Sequence, residues 1–302
     1  MYDIIIIGAG PAGLTSAIYA REASKKVLVL EAKTYGGQII TTLDIENYPT
    51  QPHISGVDFA TKLYNQALEL GAEVLFEKAI DIKDGCYEKE VITEKNAYKC
   101  KSIILATGAD NRKLNLKNED ELIGKGISYC ATCDGNFYKN KNVAVVGGGN
   151  TAIEDALYLS DIVNTVYLIH RRNELRADKK LVSKLEKKAN VKFIYNTNVT
   201  KLNSKEKLNS IEITNNDGNT EELIIDGLFI AVGKIPENQN FAKIISLNDA
   251  GYVIASEDCH TNVEGIFVAG DNRVKQVRQL VTAASDGAVA AIEAIKYLGK
   301  KK

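Results

Sequence analysis

The chain has 302 residues, 45% hydrophobic and 25% charged, which is material for about two globular domains. Its 38 Lys and Arg nearly cancel its 39 Asp and Glu, for a net charge of −1, so nucleic-acid or anionic-membrane binding has no electrostatic support. No apolar run nears the roughly 20 residues of a spanning helix, no signal-peptide pattern precedes the first strand, and five cysteines suit no secreted disulfide framework, so a cytoplasmic protein is expected.

In chain order, Ile4–Ile7 is a short apolar run closed by glycine, the pattern of a strand buried on both faces. Pro11–Ala23 reads as a helix and Val27–Leu30 as a second strand. β-rich pieces follow at Glu73–Phe76 and, by alternation, at Tyr87–Lys101. A second strand–helix–strand set falls at Val143–Val146, Thr151–Ser160 and Val166–Ile169. Further β-rich pieces lie at Val191–Tyr195 and Leu202–Ile225, the latter turning at Asn216-Asp217-Gly218. The last element is a helix over Gln279–Leu298, with Gly299 and a basic tail as its stop signal.

The chain repeats itself. A shift of 139 residues (8 to 147) lays Ile7-Gly8-Ala9-Gly10-Pro11-Ala12-Gly13 on Val146-Gly147-Gly148-Gly149-Asn150-Thr151-Ala152. A shift of 125 (106 to 231) lays Ala106-Thr107-Gly108 on Ala231-Val232-Gly233. Two copies of one dinucleotide-binding unit are expected.

In the first copy, Gly8 permits a tight turn, Gly10 lets a pyrophosphate approach the backbone, and Gly13 lets the helix lie close to the sheet. Pro11 and Ala12 belong to the same turn, and Glu31, ending the second strand, is placed for ribose hydroxyls. The second copy has Gly147, Gly149, Asn150, Thr151 and Ala152, but its acid position reads His170-Arg171-Arg172, followed by Arg176. Guanidinium groups hold a 2′-phosphate that a carboxylate would repel. The first unit is therefore expected to bind FAD and the second NADPH.

Cys130-Ala131-Thr132-Cys133-Asp134 precedes the second loop. A Cys-x-x-Cys closes a disulfide or gives half a zinc site. The remaining Cys and His make no second chelating pair except adjacent Cys259-His260, which in a strand would point to opposite faces, so no metal is expected and redox chemistry is preferred. Asp134 is placed either to move a proton or to cap the following turn. Cys86, Cys100 and Cys259 read as buried, apolar-like thiols.

The flavin loop, Cys-Ala-Thr-Cys-Asp-Gly, Gly-Gly-Gly-Asn-Thr-Ala, His-Arg-Arg-x-x-x-Arg and Ala269-Gly270-Asp271, in this order, resemble the low-molecular-weight, bacterial-type thioredoxin reductases over essentially the whole chain. The resemblance implies an α/β fold of two Rossmann-like, three-layer dinucleotide-binding domains, the two-dinucleotide-binding flavoprotein type. The FAD domain would comprise 1–112 and 241–302, and the NADPH domain 113–240. Gly36, Gly37, Gln38 and Asn47 would flank the flavin, Gly270 and Asp271 would serve its ribityl or phosphate side, and Arg278, Gln279 and Leu280 would sit by its ring. Ala106, Thr107 and Gly108 are counted with them. The resemblance further implies hydride flow from NADPH through FAD to Cys130–Cys133, with Cys133 nearer the flavin. Asp134 would manage the proton, and Cys130 would exchange with oxidised thioredoxin. It also implies a homodimer whose two domains rotate against each other. Intact NADPH motifs argue against the ferredoxin-linked subgroup and against a flavin redox sensor; another small disulfide carrier is the open alternative. Tyr48 stands where the family commonly has tryptophan, and no N-terminal segment with a second redox pair is seen.

Overall fold

A computed structural model describes residues 1–300 except 43, 52, 86 and 87, so Cys86 and the first residue of the Tyr87–Lys101 stretch lie outside the described residues. The strands are β1 (Tyr2–Ile7), β2 (Val27–Leu30), β3 (Glu73–Leu75), β4 (Ala79–Asp84), β5 (Lys89–Thr93), β6 (Ala97–Leu105), β7 (Ala109–Asn111), β8 (Ile127–Ser128), β9 (Asn142–Gly147), β10 (Thr165–Ile169), β11 (Val191–Ile194), β12 (Thr197–Ser204), β13 (Leu208–Asn215), β14 (Thr220–Ile224), β15 (Gly227–Ala231), β16 (Lys234–Pro236) and β17 (Ile266–Val268). The helices are α1 (Pro11–Glu22), α2 (Gly56–Glu69), α3 (Ala131–Asp134), α4 (Asn150–Ser160), α5 (Lys179–Leu185) and α6 (Leu280–Lys300). None of the described helices is long and apolar enough to cross a membrane.

The chain divides into two compact units, Met1–Asp110 with Ile235–Lys302, and Asn111–Lys234. In the first, strands run in the order β3-β2-β1-β6-β5-β4, with β17 also on β6. The apolar run of β1 explains this sheet. Ile4 and Ile6 point into a core with Leu14, Ala17 and Ile18 of α1 and Ala290, Ala291 and Ala294 of α6. Ile5 and Ile7 point the other way, into a core with Ile82, Val91, Phe241 and Val253. A strand with no wet face must carry apolar side chains at every position.

The second unit has a fully parallel sheet, β11-β10-β9-β15-β8, and a three-stranded antiparallel sheet, β12-β13-β14. Val143 and Val145 of β9 face Ile153, Ala156 and Leu159 of α4 and Leu185 of α5. Ala144 and Val146 face Leu202, Ile211 and Ile213 of the antiparallel sheet. Each unit is a central sheet covered on both faces, the three-layer Rossmann-like plan.

Two linkers join the units, and β7 and β16 pair as a two-stranded ribbon. Lys33 Nζ lies 3.3 Å from Asp110 Oδ2 and 3.6 Å from Glu237 Oε1, so the roots of both linkers are tied to the loop after β2. The return crossing falls at Lys234/Ile235 rather than at residue 241. The reason is Asn238, wholly buried, whose Nδ2 donates to the carbonyls of Gly251 (2.9 Å) and Asn272 (2.8 Å) while its Oδ1 accepts from Thr107 (2.9 Å).

Other sequence expectations are revised. The last helix does not stop at Gly299 but runs through it to Lys300. The β-rich stretch before Lys101 holds two antiparallel strands, β5 and β6, and β6 runs on to Leu105. The helices α2 and α5 were not anticipated; α2 starts at Ser55, whose Oγ accepts from the Asp58 N–H (3.0 Å).

α1 and α6 cross closely because their contact is built of small residues. A Cβ on Gly287 would lie 2.3 Å from the Ala12 carbonyl oxygen, and Ser16 Oγ donates to the carbonyls of Ala12 (2.9 Å) and Gly287 (3.0 Å). Gly287→Ala is expected to lower unfolding free energy by about 2 kcal/mol through overpacking. Gly299→Ala, where an added Cβ meets nothing within 4 Å, should be neutral or slightly stabilising, because Ala is the better helix former. Denaturant midpoints of both variants check this.

Candidate functional site

The first glycine loop joins β1 to α1. Gly8 has φ +111°, and a Cβ there would lie 2.2 Å from the Ala106 carbonyl oxygen. A Cβ on Gly13 would lie 1.9 Å from the Gly8 carbonyl oxygen. The loop is thus wedged between the end of β6 and the first turn of α1, and the Ala106-Thr107-Gly108 segment borders it. Gly10 caps α1 without a side-chain bond, and Pro11 follows at the first helical position. A Cβ on Gly10 would come no nearer than 4.0 Å to anything, the Gly37 Cα being closest, so the cradle stays open before the helix N-terminus. That geometry fits a pyrophosphate.

Glu31 borders the cradle. Its Oε2 accepts from the Ala9 N–H (2.7 Å) and its Oε1 from the Lys33 N–H (2.8 Å). The Gly36 N–H donates to the Ala9 carbonyl (2.8 Å), bringing Gly36-Gly37-Gln38 alongside, and Gln38 Nε2 bonds the Ala109 carbonyl. Asn47 Nδ2 donates to Gln279 Oε1 (3.3 Å), and Leu280 packs with Tyr48 and Phe59. Arg278 lies over the Tyr252 ring at 4.3 Å and donates through Nε to the Asp271 carbonyl (3.4 Å). Gly270, φ +92°, sits where a Cβ would lie 2.9 Å from Ala12 Cβ. All the flavin-side residues read from the sequence therefore gather in the first unit, around the head of α1 and the segment leading into α6.

Beneath this segment lies a charge cluster that the sequence reading missed. Arg273, 1% exposed, donates through Nε and Nη2 to the two oxygens of Asp286 (2.8 and 2.9 Å). Lys275 Nζ lies 2.9 Å from Asp286 Oδ2, which also accepts from the Gly270 N–H (3.0 Å). Burial pushes the Asp286 carboxyl up, but Arg273 and Lys275 win and hold it below its ordinary value. Asp286 thereby anchors the Gly270-Asp271 turn to α6.

The second loop repeats the first. A Cβ on Gly147 would lie 2.4 Å from the Ala231 carbonyl oxygen and 2.7 Å from Ala152 Cβ. Gly149 caps α4 with open space where its Cβ would stand. Asn150 Oδ1 accepts from the Asp178 N–H (2.8 Å), and Thr151 is exposed on the first turn. The basic residues divide into two sorts. His170 is 4% exposed, with its ring against Gly148, where a Cβ would lie 2.2 Å from Cε1, and its Nε2 lies 3.0 Å from the Glu174 carbonyl oxygen. Burial lowers its pKa, so the ring is neutral at pH 7. Arg171, Arg172 and Arg176 are exposed, and the Arg176 N–H donates to the Gly148 carbonyl (2.7 Å), which pins it beside the loop.

Cys130 and Cys133 form a disulfide, with sulfurs 2.03 Å and Cα atoms 5.3 Å apart, across the single turn α3. Asp134 is largely buried, and its Oδ2 accepts a 2.6 Å bond from Ser128 Oγ. Burial raises the Asp134 pKa and the Ser128 bond only partly opposes it. Cys100 and Cys259 are free and buried, with thiols pushed up to about 12 by burial. Elsewhere, Asp44, Glu46 and His53 bring possible metal-ligand atoms within 4.8 Å of one another on the surface of the first unit.

Two cradles of this kind and a cysteine disulfide define a two-dinucleotide oxidoreductase plan. The family model for pyridine nucleotide-disulphide oxidoreductases matches residues 2–288. Thioredoxin reductase of Listeria monocytogenes is 40% identical over 304 residues, spanning 100% of this chain and 95% of that protein. Thioredoxin reductase of Peptoclostridium acidaminophilum is 42% identical over 306 residues, spanning 99% and 97%. The crystal structure of thioredoxin reductase from Streptococcus pyogenes MGAS5005 superposes with a TM-score of 0.94 at 37% identity, covering 99% of both chains. The chain belongs to the pyridine nucleotide-disulphide oxidoreductase family, among its thioredoxin reductases.

Asp286→Asn would leave buried Lys275 without its counter-charge and Arg273 with only the exposed Glu257 at 3.2 Å, a loss of about 3 kcal/mol. Because the folded pKa of Asp286 lies below the unfolded one, the contribution is complete at neutral pH and lost as pH falls through the folded pKa. The gap in denaturant midpoint between wild type and Asp286→Asn should therefore be wide at pH 7 and shrink as pH falls below the ordinary carboxylate range.

Proposed function

We propose that this chain is a thioredoxin-disulfide reductase that binds FAD in the unit 1–110/235–302 and NADPH in the unit 111–234. When bound, the two nucleotides supply a hydride and carry its two electrons to the Cys130–Cys133 disulfide. Gly8, Gly10, Pro11, Ala12 and Gly13 cradle the FAD pyrophosphate at the head of α1, and Glu31 accepts ribose hydroxyls with its remaining lone pairs. Gly36, Gly37, Gln38, Asn47, Ala106, Thr107 and Gly108, with Gly270, Asp271, Arg278, Gln279 and Leu280, enclose the rest of the flavin. Gly147, Gly149, Asn150, Thr151 and Ala152 cradle NADPH. Arg171, Arg172 and Arg176 hold its 2′-phosphate while the neutral His170 ring supports the loop from beneath.

Once the disulfide is opened, Cys130 attacks the disulfide of oxidised thioredoxin to form a mixed disulfide. Cys133 then displaces the reduced partner and restores the Cys130–Cys133 bond. Asp134, protonated more readily than an ordinary carboxyl, gives a proton to sulfur in the first step and recovers it in the cycle. The observation that carries this function is the Cys130–Cys133 disulfide next to a half-buried carboxyl of raised pKa, in the unit whose glycine loop is flanked by three exposed arginines. The thioredoxin reductases named above support thioredoxin as the carrier.

Two measurements test the assignment. Cys130→Ser should still allow NADPH to bleach the flavin absorbance yet give no turnover of oxidised thioredoxin; retained turnover would exclude the dithiol scheme. Replacing Arg171 or Arg172 by Ala should lower kcat/KM for NADPH about tenfold or more, from the roughly 1.5–3 kcal/mol of a charge-assisted hydrogen bond, and leave kcat/KM for NADH unchanged.

A further inference from the structure

Asp134 would have to gain and lose a proton while half-buried, and its carboxylate is bonded by the side-chain hydroxyl of Ser128. Ser128 is 3% exposed and belongs to the two-residue strand β8, whose register against β15 pairs it with Phe229. Its backbone is therefore held by the sheet. Its Oγ has three neighbours: Asp134 Oδ2 at 2.6 Å, the Cys130 N–H at 3.0 Å, and the Cys130 carbonyl oxygen at 3.3 Å. A hydroxyl has one proton and two lone pairs. The Cys130 N–H takes one lone pair. The proton goes to the nearer and charged acceptor, Asp134 Oδ2, when Asp134 is ionised. When Asp134 is protonated, its O–H donates to the second lone pair of Oγ, and the Ser128 proton turns to the Cys130 carbonyl.

We propose that Ser128 is the positioning residue for Asp134, a hydroxyl rotor that keeps both protonation states of the half-buried carboxyl hydrogen-bonded beside the cysteine pair. The proposal rests on the reading of Asp134 as the proton donor. As the S–S bond breaks under the two electrons supplied by NADPH through the flavin, one sulfur takes the proton of Asp134, which is left as carboxylate. The rotor turns to donate to it. Without the rotor, one of the two states would leave a buried oxygen unpaired, at a cost comparable to a lost hydrogen bond. The same hydroxyl also fixes the Cys130 N–H, so carboxyl and cysteine backbone share one anchor.

Other groups near α3 are accounted for. The turn Gly135–Tyr138 brings the Tyr138 phenol, with Asp226 near it, and α4 brings Tyr158, whose ring would lie 3.0 Å from a Cβ on Gly135. On α4, Glu154 is exposed, and Asp155, pushed up to about 7 by burial and by Glu154 against the pull of Lys234, titrates in the working range. An Asp155→Asn variant is therefore part of the test.

The experiment is the pH profile of NADPH-driven thioredoxin reduction by the FAD-loaded enzyme, for wild type, Ser128→Ala, Ser128→Thr, Asp134→Asn and Asp155→Asn. The alkaline limb should vanish in Asp134→Asn and persist in Asp155→Asn. In Ser128→Ala both states of Asp134 lose a bond, but the charge-assisted bond to the carboxylate is the stronger, so the limb should move up by about one pH unit, with a lower plateau. Ser128→Thr, which keeps the hydroxyl, should restore its position. A merely structural serine would lower the plateau and leave the limb in place. An unmoved limb in Ser128→Ala overturns the proposal but leaves Asp134 as the donor. A limb that survives Asp134→Asn overturns that reading, and this proposal with it. Should Ser128→Ala not fold, Ser128→Gly also lacks the hydroxyl and must shift the limb the same way.

Discussion

A Cβ on Gly8 would stand 2.2 Å from the carbonyl oxygen of Ala106, and one on Gly147 would stand 2.4 Å from that of Ala231. No side chain fits at that distance, so in each unit the end of a neighbouring parallel strand closes onto the turn between the first strand and its helix. Much follows from this contact. It sets the helix N-terminus directly beyond the carboxyl edge of the sheet, where N–H groups and the helix dipole face outward. It brings the third glycine-loop position, Gly13 or Ala152, against the turn, so only a very small residue serves there. It also makes the carboxyl ends of β6 and β15 walls of the two cradles. The two weak sequence echoes, one at the glycine loop and one at Ala106 and Ala231, are thus the two halves of a single steric contact.

This explains which parts of the fold were legible. A steric requirement for glycine leaves a mark at a fixed spacing, and a strand covered on both faces leaves an unbroken apolar run, as in Ile4–Ile7. Both are local and survive without knowledge of the partner. The start of α2 was equally local, since Ser55-x-x-Asp58 is a helix-start signal in which a hydroxyl bonds the N–H three residues on; the helix that follows mixes polar and apolar residues and was overlooked. Gly299 misled in the opposite sense. Glycine permits a helix to end but does not require it, and the last turn continues because nothing opposes it.

The buried charges could not be read in the same way. Asp286 stands in an alanine-rich helix, and its meaning appears only when Arg273, thirteen residues earlier, is seen to bond both of its oxygens. The unit boundary is similar. Asn238 looks like an ordinary loop residue, yet its amide joins Gly251, Asn272 and Thr107 and draws the segment after β16 into the first unit. The basic cluster was legible as a place on the chain, but whether each basic residue faces open space needed coordinates. His170 turns inward under Gly148 and the three arginines do not.

Asp286 and Asp134 show why such pairings decide chemistry. Asp286 is buried and Asp134 half-buried, and desolvation alone pushes each carboxyl up. Asp286 faces a guanidinium and an ammonium, whose attraction outweighs burial, and it stays ionised as an anchor. Asp134 faces a neutral hydroxyl, whose single bond stabilises the carboxylate without overcoming burial, so its proton affinity remains raised. Exchanging the partners would exchange the roles. An arginine at position 128 would hold Asp134 ionised, whereas serine in place of Arg273 would leave Asp286 to Lys275 alone and weaken its hold on Gly270. A half-buried carboxyl of raised pKa beside a redox disulfide is thus the combination that the proposed acid role requires. Its maintenance depends on the partner being polar and uncharged.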